Sequence, residues 1–232
     1  MKRVYVVLDI ETVTSKRLAF DVGWIIYSAK GKELERYNVL VSDITTKDDF
    51  IYTITHDRFM SSKAWYYIDK LFKHTIETKP LHEIAQDFSS ISVRYNANVI
   101  VCAYNARFDV SVLNNNASSY YNSAFFDSNV EIIDIMTVAL GTYCNTDKYA
   151  RFCFNNNFLT DSGNLKTNAE TVYRYISGNT SFSEEHHALA DCEIESELLF
   201  RGKAYKKTMP HNYALPVNGC PQWHKVQSHI PR

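Results

Sequence analysis

Residues 3–12, RVYVVLDIET, set the tightest limit on what this chain can become. Residues 3–10 are a β-branched apolar run suited to a buried strand, and Asp9 and Glu11 stand at its end. Residues i and i+2 of a strand point to one face, so the two carboxylates lie side by side. Like charges so placed repel and raise each other's pKa unless a cation holds them. A hard divalent ion such as Mg²⁺ suits the pair, because it prefers carboxylate oxygens and keeps some of its waters. An exposed strand end also carries acidic residues, so the pair needs company before it means chemistry.

The rest of the chain supplies a scaffold. Residues 23–29 (GWIIYSA) and 33–42 (ELERYNVLVS) read as two further strands joined by the turn KGK, a hairpin. A helix is expected over 61–78, capped at Ser61. A second is expected from Pro80 through Tyr95, since proline is tolerated in a first helical turn. Residues 98–105 form a fourth strand leading into a helix from Ala106, and 129–140 a fifth strand leading into another. Helices over 164–178, closed by Gly178, and over 184–199 complete the pattern. Three leading strands followed by alternating helices and strands predict an α/β fold, its central five-stranded mixed sheet flanked by helices. One domain over residues 1–202 accounts for these elements and leaves 203–232 as a basic C-terminal extension. After Glu197 no acidic residue occurs, while Arg201, Lys203, Lys206, Lys207, Lys225 and Arg232 follow. Such a tail either touches phosphate or is a solvated extension.

Composition excludes several classes of function. A net charge of −1 argues against a protein that coats nucleic acid indiscriminately. No apolar run reaches the roughly 18 residues of a membrane-spanning helix, so no membrane association is expected. Five cysteines without CxxC spacing suggest neither a disulfide framework nor a zinc ribbon, and the expected compartment is a reducing cytoplasm. A zinc site built on Cys220, His224 and His229 lacks an evident fourth ligand.

Two more acidic positions join Asp9 and Glu11. Asp109 falls in about the first turn of the helix after the fourth strand, where a carboxylate also complements the helix dipole. In EEHHALADCEIESELL, residues 184–199, Asp191 projects onto the apolar side of the helix with Ala188, Cys192, Leu198 and Leu199. A carboxylate there is costly unless paired or bound to a metal. Glu195 projects onto the same side, and the sequence offers no physical account of it.

Taken in order, LDIET with Asp9 and Glu11, YNARFD with Asp109, and HHALAD with His186 and Asp191 resemble three known motifs. They are those of the histidine branch of the DEDD exonuclease superfamily, which includes polymerase proofreading subunits, RNase T and oligoribonuclease. The resemblance covers roughly residues 3–200. Many members have His-Asn where this chain has Tyr104-Asn105, a departure that leaves Asp109 untouched. An RNase H-like exonuclease fold is implied, with 3′→5′ release of nucleoside 5′-monophosphates from single-stranded DNA ends.

The resemblance further implies two divalent ions, Mg²⁺ or Mn²⁺, of the kind that clamp the attacking and leaving oxygens of a phosphoryl displacement. Asp9 would bridge both. Glu11 and Asp191 would hold the ion carrying the nucleophilic water, and Asp109 the second. By motif position Thr12 and Val13 would touch the terminal nucleotide, with Asn105 and Phe108 as further substrate contacts. Phe20 has a claim to stacking but reads more readily as core, and Lys166 and Arg174 are candidates for phosphate contact.

The base is a choice between two histidines. Helix geometry favours His187, because i and i+4 share a face. The family spacing of five favours His186, if the helix starts near His187 or Ala188 and the angular argument lapses before it. His186 is therefore assigned as the general base, a task suited to a side chain with a pKa near 6.5. Two alternatives are RNA trimming by the same mechanism and a non-catalytic nucleic-acid-binding module on this fold. A polymerase partner or a homodimer is left open.

Overall fold

The computed structural model describes residues 2–13, 17–45, 48–56, 61, 63–203, 206 and 221–230. Six strands form one sheet: β1 (Arg3–Val13), β2 (Leu18–Ser28), β3 (Glu33–Val41), β4 (Glu77–Lys79), β5 (Asn98–Ala103) and β6 (Glu131–Asp134). Their order is β4-β3-β2-β1-β5-β6. The pairs β1–β2 and β2–β3 are antiparallel, while β1–β5, β5–β6 and β3–β4 are parallel, so the sheet is mixed as expected.

The expected count of five strands is corrected to six, and the helix over 61–78 is shortened. Its helical part is α3 (Ala64–Phe72), which follows α1 (Ser42–Thr45) and α2 (Asp48–His56). Residues Glu77–Lys79 instead pair with Val39–Val41 as strand β4. Local chemistry explains the change. Lys79 precedes Pro80, whose ring disfavours helical dihedrals in the residue before it. Pairing also satisfies backbone groups that β3 would otherwise expose at the sheet edge. Pro80 then caps α4 (Leu81–Tyr95), where expected.

Alternation along β1 assigns the faces. Val4, Val6, Leu8 and Ile10 enter one core with α4 and α5 (Ala106–Tyr121). Tyr5 and Val7 enter the other, beneath α6 (Ile135–Ala139), α7 (Asp147–Asn155), α8 (Ala169–Ser177) and α9 (Ala188–Phe200). Asp9 and Glu11 continue the odd-numbered series and so face α9. Helix α8 begins five residues later than 164 and ends, as expected, on left-handed Gly178.

A last helix, α10 (Pro221–Gln227), belongs to the stretch set apart as a basic extension. Val226 is fully buried in the α9-side core, and Gln227 accepts the Leu165 N–H at 3.0 Å. Of the zinc idea, Cys220 lies outside the described residues, and His229 bonds Asp147 and Asn145. The four described cysteines are buried free thiols. Among the described residues no helix is long and apolar enough to cross a membrane.

Candidate metal centre

The centre is assembled by bringing the first turn of α9 down onto β1 and β2. Asp9 pairs across the sheet with Gly23, and this glycine permits the approach. A Cβ there would stand 2.7 Å from the Leu189 nitrogen and 2.8 Å from the Ala188 carbonyl carbon. Two pairs along, opposite Glu11, the buried Asp21 fixes the helix start. Its carboxylate accepts the Ala188 N–H at 3.2 Å, the Asn38 amide at 2.6 Å and the Tyr67 hydroxyl at 3.0 Å. A carboxylate receiving the first N–H of a helix also meets the positive end of its dipole. Helix α9 therefore sits in one register, with Asp191 over β1.

Asp9, Glu11 and Asp191 each offer an oxygen, and the three atoms lie within 4.8 Å of one another. Asp109, buried in the first turn of α5, adds its charge to those of Asp9 and Glu11. Burial and mutual repulsion act together. Burial foremost, then neighbouring carboxylates, push Asp9 well above the carboxylate range. Burial likewise raises Asp109 well above it, Glu11 to about 8 and Asp191 to about 6, although Lys63 opposes the last two shifts. Asp191 Oδ1 is buried without a hydrogen-bond partner among the described residues. An oxygen with no donor, among carboxylates that resist ionisation together, fits a divalent cation.

The histidines adopt different conformations. Helix α9 starts at Ala188, where the sequence placed it, with His187 as its cap. His187 Nδ1 accepts the Ala190 N–H at 3.3 Å, its Nε2 lies 2.8 Å from Glu185, and its ring stacks on Tyr66 at 4.4 Å. His186 is left-handed at φ 53° and points toward the acids. Its Nδ1 is 3.9 Å from Asp191 Oδ2 and 3.5 Å from Glu184 Oε2. Burial and the Lys63 charge lower its pKa to about 4.

The other site residues fall into two groups. Asn105 and Phe108 line an open cavity of about 580 Å³ with Arg17, Leu18 and Arg107. Thr12 is half-buried at the β1–β2 bulge, whereas the Val13 side chain is fully buried. Phe20 is core, packed on Phe50 and Tyr67. Arg174 is committed elsewhere: it pairs with Glu170, donates to the Phe182 carbonyl at 2.7 Å and covers Phe158. Lys166 is exposed. Tyr104, at the departure from the family pattern, donates its hydroxyl to the Thr167 carbonyl.

Three further charged residues at this centre were given no role by the sequence reading. Glu195 is buried one turn beyond Asp191 and accepts the Tyr104 N–H at 3.1 Å. That contact gives the missing account of it: the carboxylate satisfies backbone at the end of β5. Glu184 forms a second group of three with His186 and Asp191, their ligand atoms also within 4.8 Å. Lys63 lies close enough to Glu11, Asp191 and Asp9 to be drawn by their charge. The apolar-side projection flags Glu195; no local pattern marks Lys63.

No protein-family model matches this sequence, and no curated protein matches it. Solved structures do. E. coli exonuclease I in complex with a dA16 oligonucleotide superposes with a TM-score of 0.54 at 14% identity, covering 90% of this chain and 41% of that one. Its complex with a 5cy-dT13 oligonucleotide gives 0.54 at 13% identity, covering 89% and 40%. The fold is similar to that of the matching part of exonuclease I. The chain spans about two-fifths of the length of exonuclease I. The likeness extends over nearly all of this chain, and the RNase H-like exonuclease architecture expected from the three acidic motifs is the one observed.

Proposed function

We propose that this chain is a divalent-metal-dependent 3′→5′ exonuclease that releases nucleoside 5′-monophosphates from single-stranded DNA ends. One observation carries the reading: Asp9, Glu11 and Asp191 converge from β1 and α9 within 4.8 Å, with a buried, unpartnered Asp191 oxygen among them. Asp9, Glu11 and Asp191 would hold one ion, and Asp109, with Asp9, a second. When bound, two Mg²⁺ or Mn²⁺ ions would activate water and neutralise charge developing on the phosphate. The chain's own part is to position these groups and to take up a proton. His186, held neutral near pH 7 by its surroundings, is the acceptor. Its left-handed backbone sets it outside α9, facing the same carboxylates. Thr12, Asn105 and Phe108 contact the terminal nucleotides. Val13, with no exposed side chain, contributes through its main chain. DNA is favoured because exonuclease I, which shares the fold, has been captured with dA16 and 5cy-dT13 oligonucleotides.

The test is degradation of end-labelled oligonucleotides, DNA and RNA in parallel, with Mg²⁺ or with EDTA. DNA should shorten from its 3′ end only with metal, and a blocked 3′ end should protect it. Asp9→Ala and Asp191→Ala should remain folded and abolish turnover. Turnover retained in either variant, or equal protection by a 5′ block, would sink the assignment. Faster loss of RNA would transfer the same mechanism to an exoribonuclease.

A further inference from the structure

Two glutamates immediately precede the two histidines in SEEHHALAD, residues 183–191. Each glutamate meets the histidine two places on, and the two pairs face different surroundings. Glu185 lies 2.8 Å from His187 Nε2 on the outside, its side chain 75% exposed. Glu184 turns inward with His186: its Oε2 lies 3.5 Å from Nδ1, and its side chain is only 10% exposed. A carboxyl so withdrawn from water needs a polar partner, and the His186 ring supplies one. The Glu184 ligand oxygen falls in the group of His186 and Asp191, outside the group of Asp9 and Glu11. The segment that carries the inner pair has no regular structure before α9, yet it is fastened. Arg174 of α8 donates to the Phe182 carbonyl at 2.7 Å, and the Phe182 ring packs on Tyr173 at 4.6 Å.

We infer that Glu184 is a positioning residue for His186: it accepts the Nδ1–H and so leaves Nε2 as the nitrogen that takes the proton of the attacking water. The inference rests on the nuclease reading above and adds the group that orients its base. The two nitrogens of a neutral imidazole differ, and the partner of one decides the role of the other. His186, left-handed at φ 53°, stands outside α9, so the helix does not set its rotamer. An oxygen on Nδ1 does, and a carboxyl keeps an acceptor oxygen in either protonation state. At 3.5 Å the contact is long for a hydrogen bond, as catalytic contacts often are before substrate arrives. Asp191 Oδ2 is farther from Nδ1, at 3.9 Å, and is assigned to the ion. In the step itself the water O–H bond breaks and the Nε2–H bond forms, while the Nδ1–H stays on Glu184. The resulting imidazolium draws the carboxyl closer.

The test is a double-mutant cycle on the degradation of labelled oligothymidylate with Mg²⁺. Glu184→Ala alone should lower kcat roughly 10- to 100-fold, the usual loss when a histidine's outer partner is removed, with KM unchanged. In the His186→Ala background the same substitution should cost nothing further, to within about twofold, because its effect passes through the ring. Glu184→Met, which keeps the length of the side chain and has no oxygen, should repeat both results, so that disturbed packing is told apart from a lost acceptor. Glu185→Ala, at the outer pair, should leave kcat as it was. Mn²⁺ affinity of the Glu184 variants, measured by titration calorimetry, should match that of the parent. Losses that multiply in the double variant overturn the inference, as does an unchanged kcat in Glu184→Ala or an equal loss in Glu185→Ala. Weakened Mn²⁺ binding overturns it too, and makes Glu184 a metal ligand. If the parent degrades the oligomer and one of these contrary results is found, the positioning role alone falls. If the parent degrades neither DNA nor RNA, the nuclease reading falls and the positioning role with it.

Discussion

Replacing Glu11 by glutamine should stabilise the metal-free protein near neutral pH and flatten the dependence of its stability on pH. Glu11 is largely withdrawn from water, and burial, helped by the charges of Asp191, Asp21 and Asp109 and opposed by Lys63, raises its pKa from 4.5 to about 8. A carboxyl that holds its proton more tightly folded than unfolded favours the fold at low pH. That advantage is lost as pH climbs from 4.5 through about 8. A tenfold change in proton affinity is about 1.4 kcal/mol, so at pH 7 the loss is on the order of 3 kcal/mol. For a domain of this size it corresponds to roughly 6–12 °C in Tm. The assay is thermal melting in EDTA from pH 5 to pH 8 for the parent and Glu11→Gln. The parent should lose Tm steadily over that range, and the variant should lose less. Mg²⁺ or Mn²⁺ should raise the parent's Tm most at the alkaline end, where the carboxylates are charged, and should raise the variant's much less. Parallel slopes in EDTA would refute the account, because Glu11 would then not be held in its protonated form by its burial among the other acids.

Three shorter predictions follow from named contacts. His186→Ala should lower kcat by roughly 10²–10⁴-fold with little change in KM, whereas His187→Ala should cost mainly stability, about 1 kcal/mol for a lost cap; reversed effects on kcat would exchange their roles. Gly23→Ala should cost about 1–3 kcal/mol and depress kcat at least tenfold, because its Cβ would push α9, and Asp191 with it, away from Asp9; normal activity would show that the close approach is not what seats the helix. Val226→Ala should lower stability by about 1–2 kcal/mol, measured by urea unfolding, and an unchanged midpoint would mean that α10 does not contribute to the folded core.

The sheet and the acid motifs were legible because both are written at short range. Alternation along β1, and the pairing of Asp9 with Glu11 two residues apart, need no tertiary information. The start of α9 at Ala188 was legible for a related reason: the family spacing pointed to a break before the helix, and the backbone of His186 and His187 departs from helical dihedrals there. Strand β4 was missed because its pattern is too short to show a period. Only the proline after Lys79 signals it, and that signal was used for the following helix alone. The tail was read on charge alone. Its lysines are visible in composition, whereas the burial of Val226 depends on contacts with α9-side residues far away in sequence.

What stayed illegible at the centre has one physical origin. Lys63, Glu184 and Glu195 act on Asp9, Glu11 and Asp191 through space, across separations that no local period spans. The same is true of Asp21, which in sequence is merely an acid inside a strand. In the structure it receives the first N–H of α9 from 167 residues away, together with a hydroxyl from α3 and an amide from β3. Placing the negative end of that bond under the helix start pins the loop that carries His186 and the turn that carries Asp191. The motif residues could be named from the family resemblance because the order and spacing that carry it lie along the chain. Their convergence depends on Asp21 and Gly23, whose roles exist only once β2 lies beneath α9.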